Sequence, residues 1–275
     1  MTLSGLSFPT SRQYNKTWTL ILFCAISIGA MIGVPFYGYL YHYTWLDWSL
    51  FGLLYVVSGL GIAVSYHRLM AHRSFDCLKW VKGILLIGNA WALQNSTIKW
   101  ASDHLCHHAH CDEEKDPYNA QRGFWHSHCG WLFLPDQYAY PKNPTRVAVW
   151  QHQHYPLLVL TGLAGTSLID FLLAGLERIF AVLNSTFCIN SVCHLWGQQP
   201  HGTSDSTRDS WLVSLVTFGK GYHNYHHMYP TDYRSGPRWY HFDPSKWLIL
   251  GLYSLGLATS LRTGSYVEAS LARTN

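Results

Sequence analysis

The 275-residue chain is 48% hydrophobic and 16% aromatic, with 12% charged residues and a formal net charge of +4. Soluble globular domains carry about 25% charged residues, so the composition argues against a soluble fold, and a small, dispersed positive charge excludes a nucleic-acid-binding role. No linker, repeat or low-complexity tract divides the sequence, and one domain over 1–275 is expected.

From Thr17 to Leu46 there is no Asp, Glu, Lys or Arg, more than the ~20 apolar residues that cross a bilayer. A first span is therefore expected over 17–40. It lacks the small-residue cleavage signature of a signal peptide. A second uncharged run gives a span over 48–66, which closes a hairpin through a turn near residues 40–47. The segment 83–98 is too short and too polar to cross and should lie at the interface, as should the apolar stretch 247–261. A second hairpin is expected from spans over 155–170 and 171–196. Within the latter, Glu177 and Arg178 stand near its start, where long side chains can snorkel to the interface.

Lys and Arg set the orientation. The expected outer turns, 40–47 and 168–173, contain none, whereas Arg68, Arg73, Lys79, Lys82, Lys99, Lys115, Arg122, Lys142 and Arg146 crowd the middle of the chain. The positive-inside rule then makes both termini and the regions 67–154 and 197–275 cytoplasmic. The fold class expected is an all-α membrane protein, with four transmembrane helices in two hairpins and a cytoplasmic, His-rich helical cap. The seven cysteines form no C-x-x-C pair, and free thiols are expected.

Histidine is the outlier, with 17 copies, and nine of them are spaced for metal binding. The clusters are His67 with His72; His104, His107 and His108; and His223, His226 and His227. The second and third read H-x-x-H-H, which on a helix places three imidazoles on one face, able to converge on one point. His67 and His72 are five apart, about 140° around an α-helix. They should reach two neighbouring ions or sit where the helix loosens, which favours two metals over one. Asn190 and His194, four apart, add one amide and one imidazole. Imidazole alone does not choose among Fe, Zn, Cu and Ni. Asp103, Asp112, Glu114 and Asp116 surround the second cluster and are candidates to hold the outer ring N–H groups, whereas Glu113 reads as a solvated acid. Scattered histidines such as His42, His152, His154, His201 and His241 read as ordinary interfacial residues. A zinc or copper buffer or transporter would not need helical spacing in every cluster.

The motifs His67-Arg-Leu-x-x-His72-Arg-Ser-Phe75, Gln94-Asn95, Trp100-Ala-Ser-Asp103-His104, Asp116-Pro117, Gly123-Phe-x-x-Ser-His128-x-Gly-Trp131, Asn190-Ser-Val-Cys-His194 and His223-Asn-Tyr-His226-His227 closely resemble those of the membrane fatty acid desaturases, in particular the acyl-CoA Δ9 (stearoyl-CoA-like) branch including bacterial members. The resemblance implies a di-iron centre held by the nine histidines above, with Asn190 reaching one metal through water, and O2 as co-substrate. It implies a bent acyl tunnel with Gln94, Trp100 and Thr186 at the bend, Asn95 among the substrate-contacting positions and Tyr55 at the closed end. The reaction implied is insertion of a cis double bond, Δ9-like, into a saturated acyl chain carried on CoA, acyl carrier protein (ACP) or lipid, in the bacterial cytoplasmic membrane. A hydroxylase or acetylenase on the same metal site is the alternative. No cysteine set for an iron–sulfur centre and no haem region is visible. Electrons are expected from a ferredoxin, rubredoxin-like protein or cytochrome b5 and its reductase. Three positions depart from the family pattern: Lys220 stands where Glu is common, Leu105 where Arg is common, and Ser102 where animal members have an Arg that contacts CoA.

Overall fold

The computed structural model describes residues 16–134, 146–163 and 168–264. In chain order its elements are α1 (Lys16–Tyr41), α2 (Trp45–Ala71), β1 (Asp76–Cys77), α3 (Lys79–Ala90), α4 (Thr97–His110), α5 (Phe124–His128), α6 (Arg146–Leu163), α7 (Leu168–Leu195), α8 (Trp211–Val216), α9 (His223–Met228), α10 (Pro244–Ser254) and β2 (Ala258–Thr259). The two short strands pair antiparallel, Asp76 opposite Thr259.

Among the described residues three helices, α1, α2 and α7, are long and apolar enough to cross a membrane. The first two contain the expected spans and extend beyond them. Their connection is held by a capping box: the Thr44 hydroxyl accepts from the Asp47 N–H, and the Asp47 carboxylate accepts from the Thr44 N–H at 2.7 Å. The span expected over 155–170 falls on α6, which carries Gln151, His152 and His154 in its first half and does not reach that standard. Residues 168–173, expected as an outer turn, are helical and open α7. The link between α6 and α7 falls on 164–167, outside the described residues, as do Lys142 and both chain ends.

Arg178 does not snorkel. It is fully buried within α7, donating to Ser58 Oγ at 2.9 Å and to the carbonyls of Trp91, Gly162 and Ala174 at 2.6, 3.2 and 2.7 Å. A guanidinium with five N–H donors can satisfy several backbone carbonyls at once. Here it pins α2, α6 and α7 to the turn after α3, so the sequence expectation of an interfacial charge gives way to an internal tie.

The α2 backbone changes register before the site. Residues Gly61–Ala71 form a π-helix, in which each N–H bonds the carbonyl five residues back. α3 packs so closely there that a Cβ on Gly61 would lie 2.8 Å from the Asn89 backbone, and Asn89 donates to Ser65 Oγ at 2.9 Å. α3 buries Val81 and Leu86 and exposes Trp80 and Ile84, so it has one apolar face turned outward and one packed inward. α10 likewise exposes Trp247 and Tyr253.

Candidate metal centre

The nine box and span histidines come together where the ends of α2 and α7 meet α4 and α9. One ring nitrogen from each of His67, His72, His104 and His226 lies within 4.8 Å of the others, and the same holds for His107, His194, His223 and His227. His108 sits between the sets, its Nε2 2.9 Å from His226 Nε2 and its ring stacked on His227 at 4.1 Å.

For His67 and His72 the helix does loosen: the π-helical register brings residues five apart onto one face, and both join the same set. The expectation that each H-x-x-H-H box converges on one point is corrected. His104 and His226 go to the first set, while His107, His223 and His227 go to the second. Positions three and four along from a given residue lie about 60° behind and about 40° ahead of it around the helix. The rings therefore fan outward, and at the seam between α4 and α9 they serve points on both sides.

The geometry suits ions. In the first set the Nε2 atoms of His67 and His226 are 3.0 Å apart, and those of His72 and His104 are 2.7 Å apart. Ligands at right angles around a metal with M–N of about 2.1 Å would be separated by about 3 Å. In the second set the Nε2 atoms of His107, His194, His223 and His227 are all buried without a hydrogen-bond partner, a desolvation cost that a bound cation removes. Burial holds His104, His223, His226 and His227 well below the ordinary imidazole pKa, which keeps them in the neutral form that ligates.

Outer partners fix the second set. His107 Nδ1 lies 2.9 Å from Asp116 Oδ1, and Asp116 also accepts the N–H groups of Tyr118 and Asp112. His194 Nδ1 lies 2.8 Å from Ser206 Oγ, which donates to Asp112 at 2.7 Å. His227 Nδ1 is 3.3 Å from Asp205. Such contacts select the tautomer that leaves Nε2 free for a metal. In the first set, by contrast, the Nδ1 of His67 is buried without a partner. Among the expected carboxylates, Asp112 and Asp116 take these positions. Asp103 pairs with Lys99 at 2.6 Å, and Glu114 is exposed with no hydrogen bond to a ligand histidine. Asp205 and Ser206 have no sequence signal: they lie in a polar loop whose return to the site depends on the fold.

Beside the sets runs a cavity lined by His67, His104 and His223 together with Gln94, Asn95, Trp100, Thr186, Asn190 and the apolar side chains of Leu183 and Phe187. Trp100 Nε1 donates to Gln94 Oε1 at 3.2 Å, and Gln94 Nε2 donates to Thr186 Oγ1 at 2.8 Å. One continuous polar chain thus braces the wall, and the Trp100 ring stacks on His104 at 4.8 Å. The Lys220 amine lies 5.2 Å above the Trp100 ring, and burial pushes its pKa down to about 7. Tyr55 is not among the residues lining this cavity. Its hydroxyl donates to the Val216 carbonyl at 2.7 Å, and its ring meets Phe51 and Phe218.

A helical protein with three helices apolar enough to cross a membrane and two buried four-histidine sets, each able to hold a metal ion, beside a cavity of mixed apolar and amide lining has the build of a membrane metalloprotein. Residues 43–254 match the family model described as fatty acid desaturase. The chain is 37% identical over 235 residues to a probable acyl-CoA desaturase of Schizosaccharomyces pombe, covering 77% of this chain and 48% of that protein. It is 37% identical to acyl-CoA desaturase 1 of Saccharomyces cerevisiae, covering 76% and 44%, and 36% identical to the sn-2 palmitoyl-lipid 9-desaturase of Nostoc sp., covering 77% and 81%. The chain belongs to the fatty acid desaturase family. It spans about half the length of the two yeast relatives it matches.

Proposed function

We propose that the protein is an O2-dependent acyl desaturase that places a cis double bond, Δ9-like, in a saturated fatty acyl chain. The observation that carries this reading is the shared cavity: ligand candidates of both sets, His67, His104 and His223, face the same space as the Trp100–Gln94–Thr186 chain. The fit of the residues to two irons rests on the neutral, buried imidazoles and the orphaned Nε2 atoms. Held by His67, His72, His104 and His226, and by His107, His194, His223 and His227, with His108 between them and Asn190 through water, two irons would supply the activation of O2.

The protein's own part is positioning. Leu183 and Phe187 present apolar wall to a methylene chain, and the Trp100 ring fixes the bend, held by Gln94 on one side and His104 on the other. Holding one pair of methylenes beside the site while excluding water directs the oxidation. Asp116, Asp112 and Asp205 keep the second set in its ligating tautomer. The acyl carrier is CoA, ACP or a glycerolipid, and the relatives named for acyl-CoA and for palmitoyl-lipid support the first and the last. The two electrons that complete O2 reduction come from a ferredoxin, rubredoxin-like protein or cytochrome b5. Four spans in two hairpins, with α6 contributing to the third, and a cytoplasmic histidine cap complete the reading.

Mass spectrometry of acyl lipids and thioesters from cells with and without the protein tests the proposal. New monounsaturated species with a cis bond at one position support it; hydroxylated chains or an unchanged profile overturn it.

A further inference from the structure

A second cavity, of about 540 Å3, lies on another face of α4. Its walls include Ile98, Ala101 and Leu105, which form one stripe along α4, and Leu69 and Met70 at the end of α2. Arg73, Lys82, Arg262 and Asp76 also line it. Lys82 and Asp76 pair at 2.9 Å, so the carboxylate is taken. Arg73 and Arg262 are exposed, and among the described residues neither guanidinium has a partner. The chain path brings both residues to this cavity: the Arg262 N–H donates to the Ser74 carbonyl at 2.9 Å, beside the antiparallel pair of β1 and β2. Arg73 adopts a positive φ of 51°, a costly conformation for a residue other than glycine.

An apolar wall meeting two free guanidiniums suits a ligand with an anionic head and a hydrocarbon tail. The position favours a membrane source. Leu69 and Met70 belong to the last turn of a helix long and apolar enough to cross a membrane, and neighbouring α3, which contributes Lys82, exposes Trp80 and Ile84 on an amphipathic helix. We propose that this cavity binds one phospholipid with a net negative headgroup, its phosphate between Arg73 and Arg262 and one acyl chain along Leu69, Met70, Ile98 and Leu105. The site is separate from the cavity beside the histidine sets: none of those histidines lines it. Its occupant would brace the end of the π-helical segment, because Met70 and Ala71 immediately precede His72.

The test is native mass spectrometry of the full chain purified in detergent, titrated with phosphatidylglycerol or with phosphatidylcholine of the same acyl chains, with and without inorganic phosphate. Phosphatidylglycerol should bind about tenfold more tightly than phosphatidylcholine. The preference should vanish in Arg73→Gln/Arg262→Gln, and inorganic phosphate should not displace the lipid. Both positions are exposed, and unchanged helical circular dichroism verifies that the variant folds. Leu105→Glu, at a residue 41% exposed, should weaken both lipids by placing a carboxylate in the tail path. Equal binding of the two lipids, a double variant that keeps the preference, or displacement by inorganic phosphate alone would each overturn the assignment, the last by marking a free-anion site.

Discussion

The N–H of His72 donates to the carbonyl of His67 at 3.0 Å, a step of five residues. That bond closes the π-helical segment and explains how two histidines that would lie about 140° apart on an α-helix come to share one four-histidine set. With His104 and His226 they make up the first set, while His107, His194, His223 and His227 make up the second and His108 lies between the two.

Removing one ligand from either set should empty a different metal position and abolish turnover alike. His226→Ala is expected to lower bound iron from two to about one per chain, and His107→Ala to do the same at the other position, with activity lost in both. Inductively coupled plasma analysis with product assays checks this. Near-normal activity with two irons in either variant would remove that histidine from the site.

The outer contacts predict an order of metal loss. His107, His194 and His227 are anchored through Asp116, Ser206 with Asp112, and Asp205, whereas the His67 Nδ1 is without a partner. Outer partners are worth about 10–100-fold in metal affinity. A chelator titration should therefore remove one iron early and one late. Asp116→Asn should erase the difference, while Glu114→Gln should leave both steps unchanged.

Arg178→Met keeps an apolar, long side chain but leaves the Trp91, Gly162 and Ala174 carbonyls without their donor. Buried unsatisfied polar groups cost about 1–3 kcal/mol each, so unfolding in detergent should occur at a clearly lower temperature, with a total loss of about 3 kcal/mol or more. A midpoint equal to wild type would mean that the guanidinium is not an internal tie.

Tyr55→Ala separates tunnel closure from packing. If Tyr55 closes the tunnel, longer chains should be accepted with the double bond unmoved from the carboxyl end, with a gain of about 0.8 kcal/mol per added methylene, roughly fourfold in preference. The hydrogen bond to Val216 and the contacts with Phe51 and Phe218 define the competing outcome: an unchanged product length with reduced stability. Product chain lengths normalised to iron-loaded protein decide between them.

The membrane helices α1 and α2 and the histidine boxes are legible in the sequence because both rest on local pattern: an uncharged run, and ligands at helical spacing. The joining of His67 and His72 in one set is not legible, since a period of 3.6 assumes an α-helix and the Gly61–Ala71 register does not keep it; nor is the division of the H-x-x-H-H boxes, which depends on how the rings of α4 and α9 meet across their seam. A charge in an apolar run reads by default as interfacial, and the burial of Arg178 depends on partners from three other parts of the chain. Asp205 and Ser206 are likewise hidden. Ser206 is 94 residues from its partner Asp112, and the two meet only because the loop before α8 folds back onto the site. Nothing local marks either residue.

The fate of two hydrogens tests the central claim most directly. Iron-loaded protein, supplied with a reduced ferredoxin or cytochrome b5 and a saturated acyl thioester or lipid deuterated along its chain, should release product that has lost two deuterium atoms from adjacent carbons on one face and gained no oxygen. A product that retains one of those deuterium atoms and carries a hydroxyl group, or no O2-dependent product at all, would contradict it.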